Sequence, residues 1–149
     1  MNIVVSDTSC LIAFERIERL DILPGLFETV YVPPAVAGEF GKHFEWLRVE
    51  QLESQRLSGL LAATLGKGES EAIALAVQLD SPLLTDDKQA RAAAEQLGLT
   101  VKGVMGVLIA AKRSDHVAEI KPLIEGLEAN GFRISRSLRE EVLRLAGEV

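Results

Sequence analysis

Short apolar runs rich in β-branched residues alternate with helical segments along this chain. Residues 3–5 and 29–32 are two such runs, and both have the composition of buried strands. The polar residues 6–9 and the proline pair at residues 33–34 follow them, and both are favourable starts for a helix. Because alternating strands and helices build a mostly parallel sheet with helices on both faces, the sequence predicts an α/β fold.

The same alternation continues through the rest of the chain. Residues 82–85 and 99–101 are further strand candidates, and residues 47–52 alternate apolar and polar side chains as a half-buried strand does. Residues 69–79 are apolar on most sides after the first turn, which indicates a buried helix, and residues 137–140 fit a capping box. The predicted helices are at residues 10–19, 20–27, 33–46, 55–65, 69–79, 86–98, 104–113, 117–129 and from 137 onward.

The chain is long enough for one domain and too short for two. With 149 residues it can bury one sizeable core, so residues 1–149 are predicted to form a single domain. No apolar run approaches the roughly 20 residues of a membrane helix, and the first residues lack the features of a secretory signal. The one cysteine, Cys10, cannot form an internal disulfide and is expected in the core. A cytoplasmic location without membrane association is therefore expected.

The charge of the chain does not favour a general nucleic-acid-binding surface. The formal net charge is −6, whereas proteins that bind nucleic acid usually carry a basic patch. Bound cations or a basic partner would offset part of this charge. Basic residues do cluster locally, and Lys88 with Arg91 is one such pair.

Acidic residues follow two of the predicted strands and lie on two of the predicted helices. Asp7 comes after the first strand, and Asp86 and Asp87 come after the strand at residues 82–85. Ligands of open parallel sheets collect at the carboxyl ends of the strands, so these side chains are expected at one edge. The acids on helices are Glu39, after the second strand, and Glu69 and Glu71, in the first turn of the buried helix.

A group of carboxylates from distant parts of the chain favours a divalent cation. Like charges held close together repel, so either a proton or a cation must join them. Mg²⁺ prefers carboxylate oxygens, keeps several of its waters, and can orient a water against a phosphodiester. Glu69 shares a helix face with Ala72, Ile73 and Ala76, so it is expected to point inward or at a cleft, with Glu71 close behind it.

Each acid also has a structural explanation when it is considered alone. Asp7, Asp86 and Asp87 are good helix caps. Glutamates in a first helical turn are favoured by the helix dipole, and Glu39 fits the solvated face of a helix. The two histidines lie away from the acids in sequence and are expected to be packing or surface residues. It is the joint placement of the acids that indicates a site.

Several of these segments resemble the motifs of PIN domains. The first strand with Asp7, and the later strand with Thr85, Asp86 and Asp87, are similar to the two strand-and-acid motifs of that family. The helix with Glu39 resembles the segment that carries the second acid of the family. The Gly-Glu-Ser-Glu-Ala-Ile segment resembles one prokaryotic branch, although many members have aspartate there. The resemblance lies in residues 4–12, 33–40, 68–76, 83–87, 102–106 and 110–112.

The resemblance implies a three-layer α/β/α fold with C-terminal helices and a ribonuclease site that depends on Mg²⁺ or Mn²⁺. Many prokaryotic PIN proteins are toxins that a small antitoxin protein binds, and many form dimers. The implied partners are therefore an RNA substrate, an antitoxin and a second copy of the chain, in a homodimer or higher oligomer. Carried over by position, the catalytic residues are Asp7, Glu39, Glu69 and Asp87, and the metal ligands are these four with Glu71 and Asp86. The supporting hydroxyls are Thr8, Ser9 and Thr85, and the substrate-binding residues are Lys88 and Arg91.

Two other classes of function compete with a ribonuclease. In the first, the same fold is a non-catalytic module that binds RNA or a partner protein, and its acids serve as helix caps. The second is phosphoryl transfer on a nucleophilic aspartate. Phosphatases of that kind need another aspartate two residues after the first, where this chain has Ser9, so this class is disfavoured.

Overall fold

A sheet of five parallel strands forms the centre of the protein, whose computed structural model describes residues 2–149. The strands are β1 (Ile3–Ser6), β2 (Thr29–Val32), β3 (Leu47–Val49), β4 (Leu83–Leu84) and β5 (Val101–Lys102). Their order across the sheet is β3-β2-β1-β4-β5, and every neighbouring pair is parallel. The carboxyl end of the central strand, β1, is therefore next to those of β2 and β4.

Nine helices within residues 2–149 cover the sheet. They are α1 (Thr8–Arg16), α2 (Ile22–Leu26), α3 (Pro34–Phe40), α4 (Arg56–Leu61), α5 (Lys67–Leu79), α6 (Lys88–Gln96), α7 (Val104–Arg113), α8 (Lys121–Ala129) and α9 (Arg136–Leu145). α3 and α4 pack against α5, whereas α7 packs against α2 and α9. The predicted three-layer α/β/α fold is confirmed. None of these helices combines the length and the apolar content that crossing a membrane requires.

The core joins the sheet to α5. Val4 and Val5 of β1 and Leu84 of β4 are 0% exposed, and residues 70–76 of α5 are all buried. Each large aliphatic side chain buried in this way contributes about 1.5–3 kcal/mol. The buried helix predicted at residues 69–79 is confirmed, and its packing on β1 and β4 fixes the first turn of α5 relative to the sheet.

Two predicted helices have limits that the structure corrects. α3 ends at Phe40 rather than near residue 46, because Gly41 adopts a left-handed conformation with φ +72° and ends the helix. The last helix is capped by Ser135, whose Oγ accepts a hydrogen bond from the backbone N–H of Leu138 at 3.2 Å. The helix therefore starts before the capping box predicted at residues 137–140.

Smaller differences occur at three other elements. α1 begins at Thr8 rather than at residue 10, because Asp7 caps it. α8 begins at Lys121 rather than at residue 117, with Pro122 in its first turn. β5 is Val101–Lys102, which begins two residues later and ends one residue later than predicted. These shifts leave the order of elements unchanged.

Candidate acidic site

Asp7 is a buried carboxylate at the carboxyl end of the central strand. It accepts a hydrogen bond from the backbone N–H of Cys10 at 2.9 Å and is 4% exposed. Burial raises the pKa of this carboxyl, while hydrogen bonds from Cys10 and Thr85 lower it and the charge of Asp86 raises it. None of the ion pairs formed by residues 2–149 involves Asp7. The carboxylate is therefore held in place without a positively charged partner.

Asp86 follows β4, the strand next to β1, and lies close to Asp7. Its Oδ2 atom accepts a hydrogen bond from the backbone N–H of Val104 at 3.0 Å and lies 3.9 Å from Cys10 Sγ. Burial raises the pKa of the Cys10 thiol well above its usual range, and the charges of Asp7 and Asp86 add to this rise. Cys10 is thus a neutral core residue, as expected. A Cβ atom on Gly103 would lie 2.2 Å from Asp86 Oδ1, so glycine leaves room for this carboxylate.

Thr85 connects the acids of the two strands. Its side chain is 1% exposed and hydrogen-bonds the Asp7 carboxylate. The Thr85 hydroxyl also accepts a hydrogen bond from the backbone N–H of Asp87 at 3.2 Å. Asp87, the predicted catalytic acid of its pair, is exposed and caps α6, with Oδ1 2.8 Å from the backbone nitrogen of Ala90. Asp86 is therefore the aspartate whose charge raises the pKa of Asp7, whereas the carboxylate of Asp87 caps its own helix, α6.

Glu39 extends from α3 toward the first turns of α1 and α5. It is exposed, and its Oε2 atom accepts a hydrogen bond from the hydroxyl of Thr8 at 3.0 Å. A Cβ atom on Gly68 would lie 2.7 Å from Glu39 Oε1, so the carboxylate lies directly against the backbone of α5. Because Thr8 is the residue after Asp7, this hydrogen bond brings Glu39 to the margin of the acids at the end of β1.

The inward orientation predicted for Glu69 is wrong. α5 begins two residues before Glu69, and the Glu69 Oε2 atom accepts a hydrogen bond from the backbone N–H of Gly66 at 3.1 Å. Glu71 is the buried glutamate, at 8% exposed, and its Oε1 atom accepts a hydrogen bond from the backbone N–H of Ala35 at 3.0 Å. Glu71 therefore fixes the start of α3, and Glu69 fixes the start of its own helix.

The predicted polar and basic neighbours lie around Asp86. Ser9 is exposed and lines a groove with Asp86 and Arg133. Lys88 is exposed, and Arg91 is half-buried with its Nη2 atom 3.4 Å from the carbonyl oxygen of Thr85. Both basic residues line a second groove beside Asp86. The structure thus places these residues next to the acids, as the prediction requires.

The acids offer suitable ligands for a divalent cation, but they do not form a complete coordination shell. Asp7 and Asp86 offer carboxylate oxygens, and Glu39 lies at their margin. No three acidic, histidine or cysteine side chains among residues 2–149 are grouped closely enough to hold a metal ion. Mg²⁺ commonly binds through one or two carboxylates and keeps several waters. A buried carboxylate without a cationic partner, beside a second carboxylate, fits that requirement.

The helix termini also shape the electrostatics of the site. Asp7, Asp86 and Asp87 each accept a backbone N–H bond at the start of a different helix, namely α1, α7 and α6. The N-terminus of a helix carries a partial positive charge, which stabilises the negative side chains near it. This allows several carboxylates to remain close together in an acidic protein.

Several residues that matter through their position were not predicted from the sequence. Gly68 and Gly103 have no reactive group, but they make room for Glu39 and Asp86. A glycine directly before a predicted helix is a signal that could have indicated Gly103. Lys102 and Arg133 line the groove with Lys88 and Arg91. Arg133 belongs to a local basic cluster with Arg136 and Arg139, but no local pattern predicts that it meets the other three.

Comparisons with known proteins agree with this fold. The family model described as "DUF3368: PIN domain" matches residues 3–148. A solved structure of a PilT N-terminus domain protein from the hyperthermophilic archaeon Sulfolobus solfataricus P2 is similar to this chain with a TM-score of 0.53. The similarity covers 74% of this chain and 93% of that chain, at 18% sequence identity, which shows a shared fold alone. Among proteins with curated descriptions, none matches this sequence.

Proposed function

Because this chain belongs to the PIN-domain family DUF3368, and PIN domains are generally nucleases, we propose that it is an endoribonuclease that depends on Mg²⁺ or Mn²⁺. The observation that carries the proposal is Asp7, a carboxylate 4% exposed at the carboxyl end of the central strand. It has no cationic partner among residues 2–149 and lies next to Asp86. Burying such a group is costly unless it is paired or coordinates a metal, and a carboxyl perturbed in this way is a candidate functional residue.

Asp7 and Asp86 are the residues that would hold the cation, with Glu39 at their margin and Asp87 as a further candidate. When bound, the ion lowers the pKa of a water molecule and stabilises the charge that develops on the phosphate. Thr85 orients the Asp7 carboxylate by its hydrogen bond, and Thr8 does the same for Glu39.

Lys88 and Arg91 contribute by holding the phosphodiester backbone near the acids. Both line the groove beside Asp86, and cationic side chains bind phosphate oxygens strongly. Arg91 also donates to the carbonyl oxygen of Thr85, so its guanidinium is partly ordered before any substrate binds. These residues position the substrate, and the acids face the bond to be cleaved.

The test is cleavage of single-stranded and structured RNAs with Mn²⁺, Mg²⁺ or a chelator, by the wild type and by Asp7→Asn. We expect cleavage that needs the metal and falls at least about 100-fold in the variant, the size of the effect when one group that stabilises the transition state is removed. The matched control is Asp80→Asn, an exposed aspartate in a left-handed conformation that asparagine also adopts. A folded Asp7→Asn protein with full activity would contradict the proposal.

A second candidate function is a module that binds RNA or protein without cleaving it. One observation favours it: Asp7, Asp86, Asp87 and Glu71 each accept a hydrogen bond from a helix N-terminus. The acids therefore have a structural purpose without any metal. Binding of RNA with no cleavage in any metal would support this candidate against the first.

The resemblance to prokaryotic toxins motivates a more specific version of the proposal. In it, the protein is the toxin of a toxin–antitoxin pair, is inhibited by a small antitoxin protein and forms a homodimer. Co-expression with the product of a short neighbouring reading frame, followed by light scattering of the purified protein, tests both the antitoxin and the oligomeric state.

A further inference from the structure

A basic groove lies beside Asp86, between two parts of the chain that are distant in sequence. One wall comes from the first turns of α6 and α7 and the end of β5, and the other comes from the segment between α8 and α9. Four basic side chains line it, and its volume is about 640 Å³. We define the basic groove by these four residues, Lys88, Arg91, Lys102 and Arg133.

The positive charge in the basic groove is not neutralised by the protein itself. The chain has 16 lysines and arginines, and six of them make ion pairs within residues 2–149. None of the four residues of the basic groove is among those six. The one acidic side chain that lines the groove is Asp86. A protein with a net charge of −6 therefore has a local surface that attracts anions.

The floor of the basic groove is apolar and aromatic. Phe132 is half-buried and is the accessible aromatic residue of the groove, which Phe27 and Met105, at 5% and 8% exposed, also line. The ammonium of Lys102 lies 5.7 Å from the centre of the Phe27 ring, a distance at which a cation is attracted to an aromatic face. Basic residues combined with aromatic surface are the combination that binds unpaired nucleotides, whose phosphates and bases need different partners.

The segment that carries Phe132 and Arg133 is anchored on both sides. The backbone N–H of Phe132 donates to the carbonyl oxygen of Leu127 at 2.9 Å. An ion pair of 3.1 Å between Arg139 and Glu128 links α9 to α8. The second wall is therefore formed before a ligand binds, which reduces the entropy lost on binding.

We propose that the basic groove binds the sugar-phosphate backbone of single-stranded RNA adjacent to Asp86, and that the α8–α9 segment is part of the substrate-binding surface. The inference rests on the proposed function for the identity of the ligand. It assigns a substrate-binding role to Lys102 and Arg133, which lie outside the acidic site. Stacking on aromatic side chains needs unpaired bases, so the groove should bind single strands more tightly than a duplex.

The test is binding of a fluorescent single-stranded oligouridylate in the presence of a chelator, which prevents cleavage. The double variant Lys102→Glu/Arg133→Glu is expected to raise Kd at least about tenfold and to reduce the dependence of binding on salt, because two phosphate contacts are lost. The matched control is Arg48→Glu, an exposed arginine on β3 at the opposite edge of the sheet, for which Kd should change less than about twofold. Circular dichroism establishes that each variant is folded.

Three outcomes would overturn the inference: an unchanged Kd in the folded double variant, equal affinity for duplex RNA, or tighter binding of an acidic peptide that displaces the oligonucleotide. Cleavage assays separate this result from the proposed function. If the wild type binds RNA through the groove but never cleaves it, the result supports the binding role of the groove and contradicts the nuclease proposal. If the groove variants bind and cleave RNA as well as the wild type, the nuclease proposal stands and the binding role of the groove is wrong.

Discussion

At the scale of single residues, Asp7 combines a structural role with an electrostatic cost. Its carboxylate caps α1 through the backbone N–H of Cys10, which stabilises the helix. Its burial without a cationic partner acts in the opposite direction. Residues whose burial lowers the stability of the fold are typical of functional sites, because activity requires a chemical group that stability alone would not favour.

Asp7→Asn is expected to stabilise the protein near neutral pH. Burial raises the folded-state pKa of Asp7 above its ordinary value of 3.8, so the folded state binds this proton more tightly than the unfolded state does. The stability that comes from the protonated form is fully present below 3.8 and is lost as the pH rises through the folded-state pKa. Asparagine has no charge to bury and is an equally good cap.

The expected gain in the free energy of unfolding is about 1 kcal/mol near pH 7, the usual size for relief at a functional site. This gain should nearly vanish near pH 3, where Asp7 is protonated in both the folded and the unfolded wild type. Urea denaturation at the two pH values measures the difference. A variant that is less stable than the wild type near pH 7 would show that the charged carboxylate has partners that compensate its burial.

At the scale of elements, α5 determines how α3 is held. The buried Glu71 of α5 accepts a hydrogen bond from the backbone N–H of Ala35 at the start of α3. Gly68, also in α5, lies against the carboxylate of Glu39, which is near the end of α3. One hydrogen bond and one close approach of a carboxylate to a glycine thus join the two helices. Glu39 is positioned by this packing as well as by Thr8.

Glu71→Ala is expected to lower the free energy of unfolding by about 2 kcal/mol, because it leaves a partly buried backbone N–H without its acceptor. Glu69→Ala should cost about 1 kcal/mol, since it removes a partner of an exposed helix start. Glu71→Gln keeps an acceptor oxygen and serves as the control. Thermal and urea unfolding of the three variants give the comparison, and equal losses for both alanine variants would contradict it.

The elements also show how far the sequence could predict the structure. Strand positions, the buried α5 and the placement of Asp7 and Asp86 directly after strands follow from patterns local to the chain. The orientation of Glu69 does not, because residues 70–76 are buried on every side and their periodicity cannot identify one inward face. The orientation of Glu69 is set instead by the backbone N–H of Gly66, which donates a hydrogen bond to the Glu69 carboxylate.

At the scale of the whole molecule, charge is distributed unevenly. The net charge is −6, but Lys88, Arg91, Lys102 and Arg133 lie together beside the acids. These residues come from α6, from β5 and from the segment between α8 and α9, and composition gives no sign that they meet. The same limit applies to the acidic site, since its residues meet through the strand order β2-β1-β4, which local patterns leave undetermined.

Divalent cations are expected to stabilise the whole protein if the acids form a metal site. A ligand that binds the folded state alone raises the free energy of unfolding, by about 2.7 kcal/mol at 100 times its Kd. Mn²⁺ should therefore raise the Tm of the wild type but not that of Asp7→Asn, while Asp80→Asn responds as the wild type does. Equal shifts in all three proteins would mean that the ion binds elsewhere.

The position of β4 in the sheet matters while the chain is still being made on a ribosome. Asp7 emerges before Asp86, which follows β4 and is held by the backbone N–H of Val104 in α7. A nascent chain thus carries Asp7 without its neighbour until α7 has left the exit tunnel. For the nuclease proposed above, the acidic site is therefore complete only after α7 is in place.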